Sequence, residues 1–233
     1  DDDAVAPSPA LARLLALGSQ PLALAVIPAE MTPELAGFLA GTPHAGRVDV
    51  LQHGYAHRNH EPPGAKKAEL GAARAPAAVL AELGRGARLL AATFGSRALP
   101  VLVPPWNRIA KPLIDLLAGQ GYRGLSTQGP RAPNAASGIL QVNTHVDIVD
   151  WRRGRGFVGL DAAIDLAVGH LAARREGRAA ADEPTGLLTH HLVLEEAGFA
   201  FTAEFLARTA EHPAVQWQSA EDIFAAGTGF AAA

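Results

Sequence analysis

The stretch VDVLQHGYAHRNH (residues 48–60) sets a short apolar run against a polar cluster holding three of the chain's nine histidines. VDVLQ (48–52) has the length and the β-branched content of a buried strand, and it stops where the histidines begin. The same arrangement recurs three times. PPWNR (104–108) follows LPVLV (99–103), HVDIVDW (145–151) follows ILQVN (139–143), and the pair His190–His191 follows TGLLT (185–189). In a parallel sheet with helices outside, the C-terminal strand ends share one face, and sites form there. Four polar clusters at four strand exits therefore point to that fold and to one site.

The rest of the chain agrees with this pattern. LALAVI (22–27), YRGLS (122–126) and AVQW (214–217) supply further strand-like runs, which makes seven. Between them, residues 10–17, 33–40, 76–94, 109–121, 160–175, 202–210 and 220–226 carry apolar side chains at three- and four-residue spacing, the period of helices packed on a core. Pro33 and Pro76 open helices, and Gly18, Gly95 and Gly177 close them. Alternating strands and helices with no mid-chain linker predict one domain over residues 1–233. Its fold is α/β, a distorted (β/α)7-type, TIM-like barrel of parallel strands with outer helices. The segments 61–67 and 129–138 are expected as long loops on one rim.

Composition narrows the function. With 48% hydrophobic and 18% charged residues, the 233-residue chain is of the globular kind. A net charge of −3 leaves no basic excess for phosphates, so no nucleic-acid partner is expected, and RRGRG (152–156) is assigned to a solvated loop. Without cysteine there are no disulfides or thiolate nucleophiles, and a metal would have to be held by histidine and carboxylates. The apolar runs are too short to span a bilayer. Cytoplasmic and exported locations both stay open, as does oligomeric state.

Each cluster has a bland and a chemical reading. Asp1–Asp2–Asp3 is either a frayed acidic terminus or a metal ligand beside a base. His53 and His57, four residues apart, could share one ion, and two histidines plus a carboxylate leave positions open for water and substrate. Trp106 is either a packed turn residue or a sugar-stacking wall beside backbone N–H groups. Asp147, Asp150 and Trp151 could tie down a loop or orient a histidine. Of His190 and His191, the inward one is a candidate general acid. His44, His145, His170 and His212 are expected to be surface or structural.

Taken together, DDDA (1–4), HGYAH (53–57), VPPWN (103–107), DIVDW (147–151) and LLTH (187–190) resemble the five ordered motifs of the polysaccharide deacetylase family. This is the NodB-homology domain of carbohydrate esterase family four. The resemblance spans nearly the whole chain. It implies Asp2 as general base, Asp3, His53 and His57 as metal ligands, and His190 as general acid oriented by Asp150. It also implies the Trp106 backbone N–H as an oxyanion donor. Trp106, Asn107, Arg108 and Trp151 would bind substrate. The metal would be Zn²⁺, with Co²⁺, Ni²⁺ or Mn²⁺ as substitutes, and the reaction would be removal of N-acetyl groups from an amino-sugar polymer or oligomer. Relatives that open cyclic imides or ureides supply a second reading, and a carbohydrate-binding module that has lost catalysis a third. Two positions depart from the family pattern. Val103 stands where an arginine usually precedes Pro-Pro, so that Arg108 is the candidate replacement, and Gly54 stands where Ser or Thr usually follows the first histidine. Because the first motif falls at residue 1, the strand that carries it is expected upstream.

Overall fold

A computed structural model describes residues 1–43, 45–131 and 138–226. His44 and most of the 129–138 loop lie outside these residues. Seven parallel strands are present: β1 (Leu22–Val26), β2 (Val48–His53), β3 (Ala98–Val103), β4 (Gly124–Leu125), β5 (Leu140–Gln141), β6 (Val146–Asp147) and β7 (Leu187–Leu188). They form a five-stranded sheet in the order β1-β2-β3-β4-β5 and a two-stranded sheet, β6-β7. Every pairing is parallel.

Backbone hydrogen bonds join the two sheets into a ring. The chain after β5 stays on β4 through Val142 N–H to Leu125 O. It then crosses to β7, where His145 and Val146 N–H both donate to Gly186 O. On the other side residues 1–4 fill the gap: Asp2 N–H donates to Thr189 O, Ala4 N–H to Ala25 O, and Ala4 bridges Val26 in parallel. The first-motif residues thus occupy the strand position between β7 and β1. The result is the distorted barrel expected from the strand–helix alternation.

Helices α1 (Pro9–Ala16), α2 (Glu34–Gly41), α3 (Pro76–Phe94), α4 (Lys111–Leu117), α5 (Leu160–Arg175), α6 (Glu196–Ala210) and α7 (Ala220–Ala226) follow the spacing noted in the sequence. Ser8 caps α1 by accepting from Leu11 N–H, and Pro76 opens α3. Leu11 and Leu15 of α1, Leu35 and Leu39 of α2, and Leu90 and Phe94 of α3 bury against β1 and β2. A second layer packs Val79 and Leu83 of α3 and Leu113 and Leu117 of α4 against Leu102 and Leu125. All six residues of β2 are buried, the pattern of a strand covered on both faces. That includes Asp49, whose Oδ2 accepts from Glu221 N–H at the start of α7.

One expected strand is absent. Residues 214–217 form an irregular connection between α6 and α7, and Trp217 Nε1 donates to Thr209 on α6. A run of four apolar-rich residues is too short to distinguish a strand from a connector that buries one aromatic. The seventh strand is instead β6, Val146–Asp147, inside the segment taken for a strand-exit motif.

Candidate metal centre

Two strand exits bring Asp3, His53 and His57 together. His53 is the last residue of β2, and Asp3 sits at the end of the 1–4 segment. His53 Nε2 lies 3.2 Å and His57 Nε2 3.4 Å from the same oxygen, Asp3 Oδ1. Asp3 and His57 both have φ in the left-handed region, 68° and 51°, a costly conformation for non-glycine residues that aims their side chains inward.

The tautomer of His53 defines what the site can hold. Its Nδ1 lies 3.0 Å from Val103 O, and a carbonyl only accepts, so Nδ1 carries the hydrogen and Nε2 of the neutral ring is a bare lone pair. That lone pair faces a buried carboxylate oxygen which accepts no hydrogen bond among the described residues. Two acceptors in contact need a proton or a metal ion between them. The electrostatics show a pull on positive charge. Burial opposes charge on His53, yet Asp2 and Asp3 outweigh it and raise the ring's pKa. Burial likewise opposes ionisation of Asp3, and the two imidazoles overcome it and bring the carboxyl down to about 2. At His57, burial and the nearby His53 lower the pKa, which keeps the ring neutral and available as a ligand. Three donor atoms within 4.8 Å of one another thus suit a divalent ion of the zinc type.

Around this centre, Trp106 packs its indole on His57 at 4.3 Å between ring centroids, from a backbone with φ 55°. Opposite stands His190, whose Nε2 is 3.8 Å from Asp2 Oδ2, with Trp151 edge-to-face against its ring at 4.7 Å between centroids. Burial lowers the His190 pKa, while Asp2, Asp3 and Asp147 pull the other way.

Several sequence-named residues fall elsewhere than expected. Asp150 is not brought to His190. Its Oδ1 accepts from Arg152 and Arg153 N–H, which closes the turn after β6. Of the two DIVDW carboxylates, the one whose charge bears on His190 is Asp147, at the end of β6, held by Trp151 Nε1 at 2.8 Å and Val149 N–H at 3.0 Å. Arg108 donates to Lys67 O, and among the described residues the ion-pair partner of Asp2 is His190. Val103, Asn107 and Asp2 share the lining of an interior cavity of about 150 Å³, so the position of the family's arginine is apolar. His60 is exposed and serves its loop through its backbone N–H to Ala68 O.

Three arrangements went unseen in the sequence. Asp1 is buried and locked to the chain after β7: it accepts from His191 N–H and Thr189 Oγ1, and lies 2.6 Å from His191 Nδ1. Buried Glu69 accepts from Tyr55 and Ala56 N–H beneath the histidine turn. A second His/Glu group, His145, His170 and Glu183, is buried below the N-terminal ends of β6 and β7. Here Gly186 N–H donates to His145 Nδ1, so the neutral ring carries its hydrogen on Nε2, toward Glu183 Oε2 at 3.6 Å. At that distance the contact is an ion pair too long for a hydrogen bond, and Nε2 has no hydrogen-bond partner among the described residues.

No family model and no curated protein matches the chain by sequence. Solved structures do match by fold. A protein of Mycobacterium smegmatis assigned as a polysaccharide deacetylase superposes with TM-score 0.66 at 19% identity, covering 94% of this chain and 77% of that one. The Puue allantoinase gives 0.65 at 19%, covering 93% and 71%. A family 4 acetyl xylan esterase from Clostridium thermocellum, solved with a cobalt ion, gives 0.58 at 12%, covering 97% and 88%. The fold is that of the polysaccharide deacetylases and family 4 esterases, as the five motifs led one to expect.

Proposed function

We propose that the protein is a metal-dependent hydrolase of carbon–nitrogen amide bonds, removing N-acetyl groups from an amino sugar or its oligomers. The observation that carries this reading is the bare Nε2 of His53 set against the unpartnered Asp3 Oδ1, with His57 Nε2 beside them. A divalent ion held by Asp3, His53 and His57 would supply Lewis-acid polarisation of the amide carbonyl.

The remaining steps belong to the chain's own groups. Asp2 takes the proton of the attacking water. His190, facing Asp2 across 3.8 Å, delivers a proton to the departing nitrogen, so that acetate and a free amine leave. Asp147 supports the charged imidazole of His190, in place of the Asp150 suggested by the motif. Trp106 N–H serves the developing oxyanion, and Trp151, 43% exposed with its edge on His190, forms a wall for the sugar. Asn107 lines the same interior cavity as Asp2.

The allantoinase likeness favours one competing reading, hydrolysis of a cyclic ureide or imide on the same scaffold. Incubating zinc-loaded protein with chitooligosaccharides, peptidoglycan fragments and a panel of cyclic ureides and imides separates the two. Acetate released with an equal yield of free amine supports deacetylation. Ring-opening without acetate transfers the site to the second reading.

A further inference from the structure

We infer that Glu69 is a positioning residue for the metal centre, a carboxylate clamp that holds the turn carrying His57 in ligating geometry. This rests on the proposed metal-binding role of Asp3, His53 and His57.

The turn from His53 to His57 has little reason of its own to adopt its shape. Gly54 has φ 58° and His57 φ 51°, and the segment between them belongs to no helix or strand. Glu69 supplies the missing restraint. Its Oε2 accepts from Tyr55 N–H at 3.1 Å and its Oε1 from Ala56 N–H at 2.7 Å, so one carboxylate holds two successive amides just before the ligand. The turn is also tied by Gln52 Nε2 to Gly54 O, Gly54 N–H to Val103 O, and Ala29 N–H to Tyr55 O. Of these groups, only Glu69 reaches the two amides nearest His57.

The clamp is itself fixed. Glu69 is 1% exposed and stands next to Leu70, which is buried in the α3–α4 core and accepts from Ala110 N–H. On its other side Ala68 is pinned twice, by donating to Asn59 Oδ1 and accepting from His60 N–H. The long 58–71 loop thus returns to place one carboxylate under the histidine turn. Gly54 fits the same account. A Cβ there would lie 2.0 Å from Glu69 Oε2 and 2.7 Å from Pro105, so the turn has exchanged a side chain at residue 54 for the carboxylate of residue 69. A ligand held by a pre-formed support binds metal more tightly, and losing such a support typically costs about 10–100-fold in affinity.

The test is zinc titration by calorimetry into the full chain, comparing wild type with Glu69→Gln and Gly54→Ala. Glu69→Gln keeps the shape but turns an NH2 toward one of the two amides, and Gly54→Ala displaces the carboxylate by sterics. Each variant is expected to bind zinc about 10–100-fold more weakly. Their double variant should lose little more than either alone, because both break one clamp. The visible spectrum of the cobalt-loaded variants should show the loss of one imidazole ligand, a change that a merely structural defect would not produce. Amide exchange at Tyr55 and Ala56 in the metal-free protein should be faster in Glu69→Gln. Wild-type zinc binding with unchanged affinity and cobalt spectrum in Glu69→Gln overturns the clamp alone. No zinc binding by the wild type overturns the metal centre and the clamp's role with it.

Discussion

At the residue scale the sharpest distinction is between Asp147 and Asp150, two carboxylates three positions apart in DIVDW. Asp147 ends β6 and faces the site with His190, while Asp150 turns back to close the Arg152–Arg153 turn. The charge of Asp147 raises the pKa of His190 against the lowering effect of burial, so its removal lowers that pKa. If His190 must be protonated to act, Asp147→Asn moves the basic limb of the kcat/KM–pH profile to lower pH, and Asp150→Asn leaves the limb in place. An unshifted limb in Asp147→Asn would return the orienting role to another group. The sequence placed both aspartates at a strand exit. Which one faces inward depends on where the strand stops and the turn begins, and a five-residue motif carries no record of that. Asp3, His53 and His57 were legible because their spacing and residue types express the coordination chemistry directly. Glu69 was not, since one of two glutamates in the 58–71 loop resembles any solvated charge. Its one local signal was Gly54, a position without a side chain where support was needed.

At the element scale, β2 and α3 show how the barrel holds the site. Gln52, one residue before His53, donates to Gly54 O and Leu83 O and accepts from Tyr122 Oη at 2.6 Å, linking β2 to α3 and to the chain before β4. Gly86 of α3 lies against this amide. A Cβ there would meet Gln52 Nε2 at 2.5 Å and Pro28 at 2.9 Å. Helix propensity alone favours Gly86→Ala by about 1 kcal/mol. Overpacking against a satisfied buried amide outweighs that, with a cost of roughly 1–3 kcal/mol. Chemical denaturation of Gly86→Ala should therefore show a net loss of stability, and a gain would mean that the contact relaxes freely. The helices and the longer strands were legible in the sequence because their periodicity runs over many residues. The two-residue strands β4 to β7 are too short for a period to show, which is why β6 was hidden inside a motif and residues 214–217 were overread.

At the scale of the whole molecule, the two poles of the barrel carry different electrostatics. The C-terminal pole gathers acceptors that call for positive charge, and the N-terminal pole buries His145, His170 and Glu183 together, the two rings stacked at 3.4 Å. Burial, with His145 beside it, lowers His170 to about 4. Burial opposes ionisation of Glu183, but the nearby His145 and hydrogen bonds from the Arg131 and Asn143 amides bring its pKa below the usual value. Both groups bind fewer protons folded than unfolded. Their stabilisation is complete above the unfolded histidine pKa of about 6.5 and is lost as pH falls toward and below 4. Thermal stability should thus fall from pH 7 to pH 4, and His170→Gln should flatten that dependence. An equally steep dependence in the variant would assign the acid sensitivity to other groups. The barrel as a whole was legible because strand–helix alternation and the four strand-exit clusters report on one architecture. Its closure through residues 1–4 was not, because a tripled aspartate gives no strand signal.

The central claim is that an ion on Asp3, His53 and His57 is needed for amide hydrolysis at this pole. Acetate release from chitooligosaccharides by protein stripped with a chelator and reloaded with one equivalent of zinc, beside His57→Ala treated identically, tests it most directly. The account predicts no turnover in the stripped protein, recovery on reloading, and neither zinc retention nor turnover in His57→Ala. Acetate release that persists in metal-free His57→Ala would contradict it.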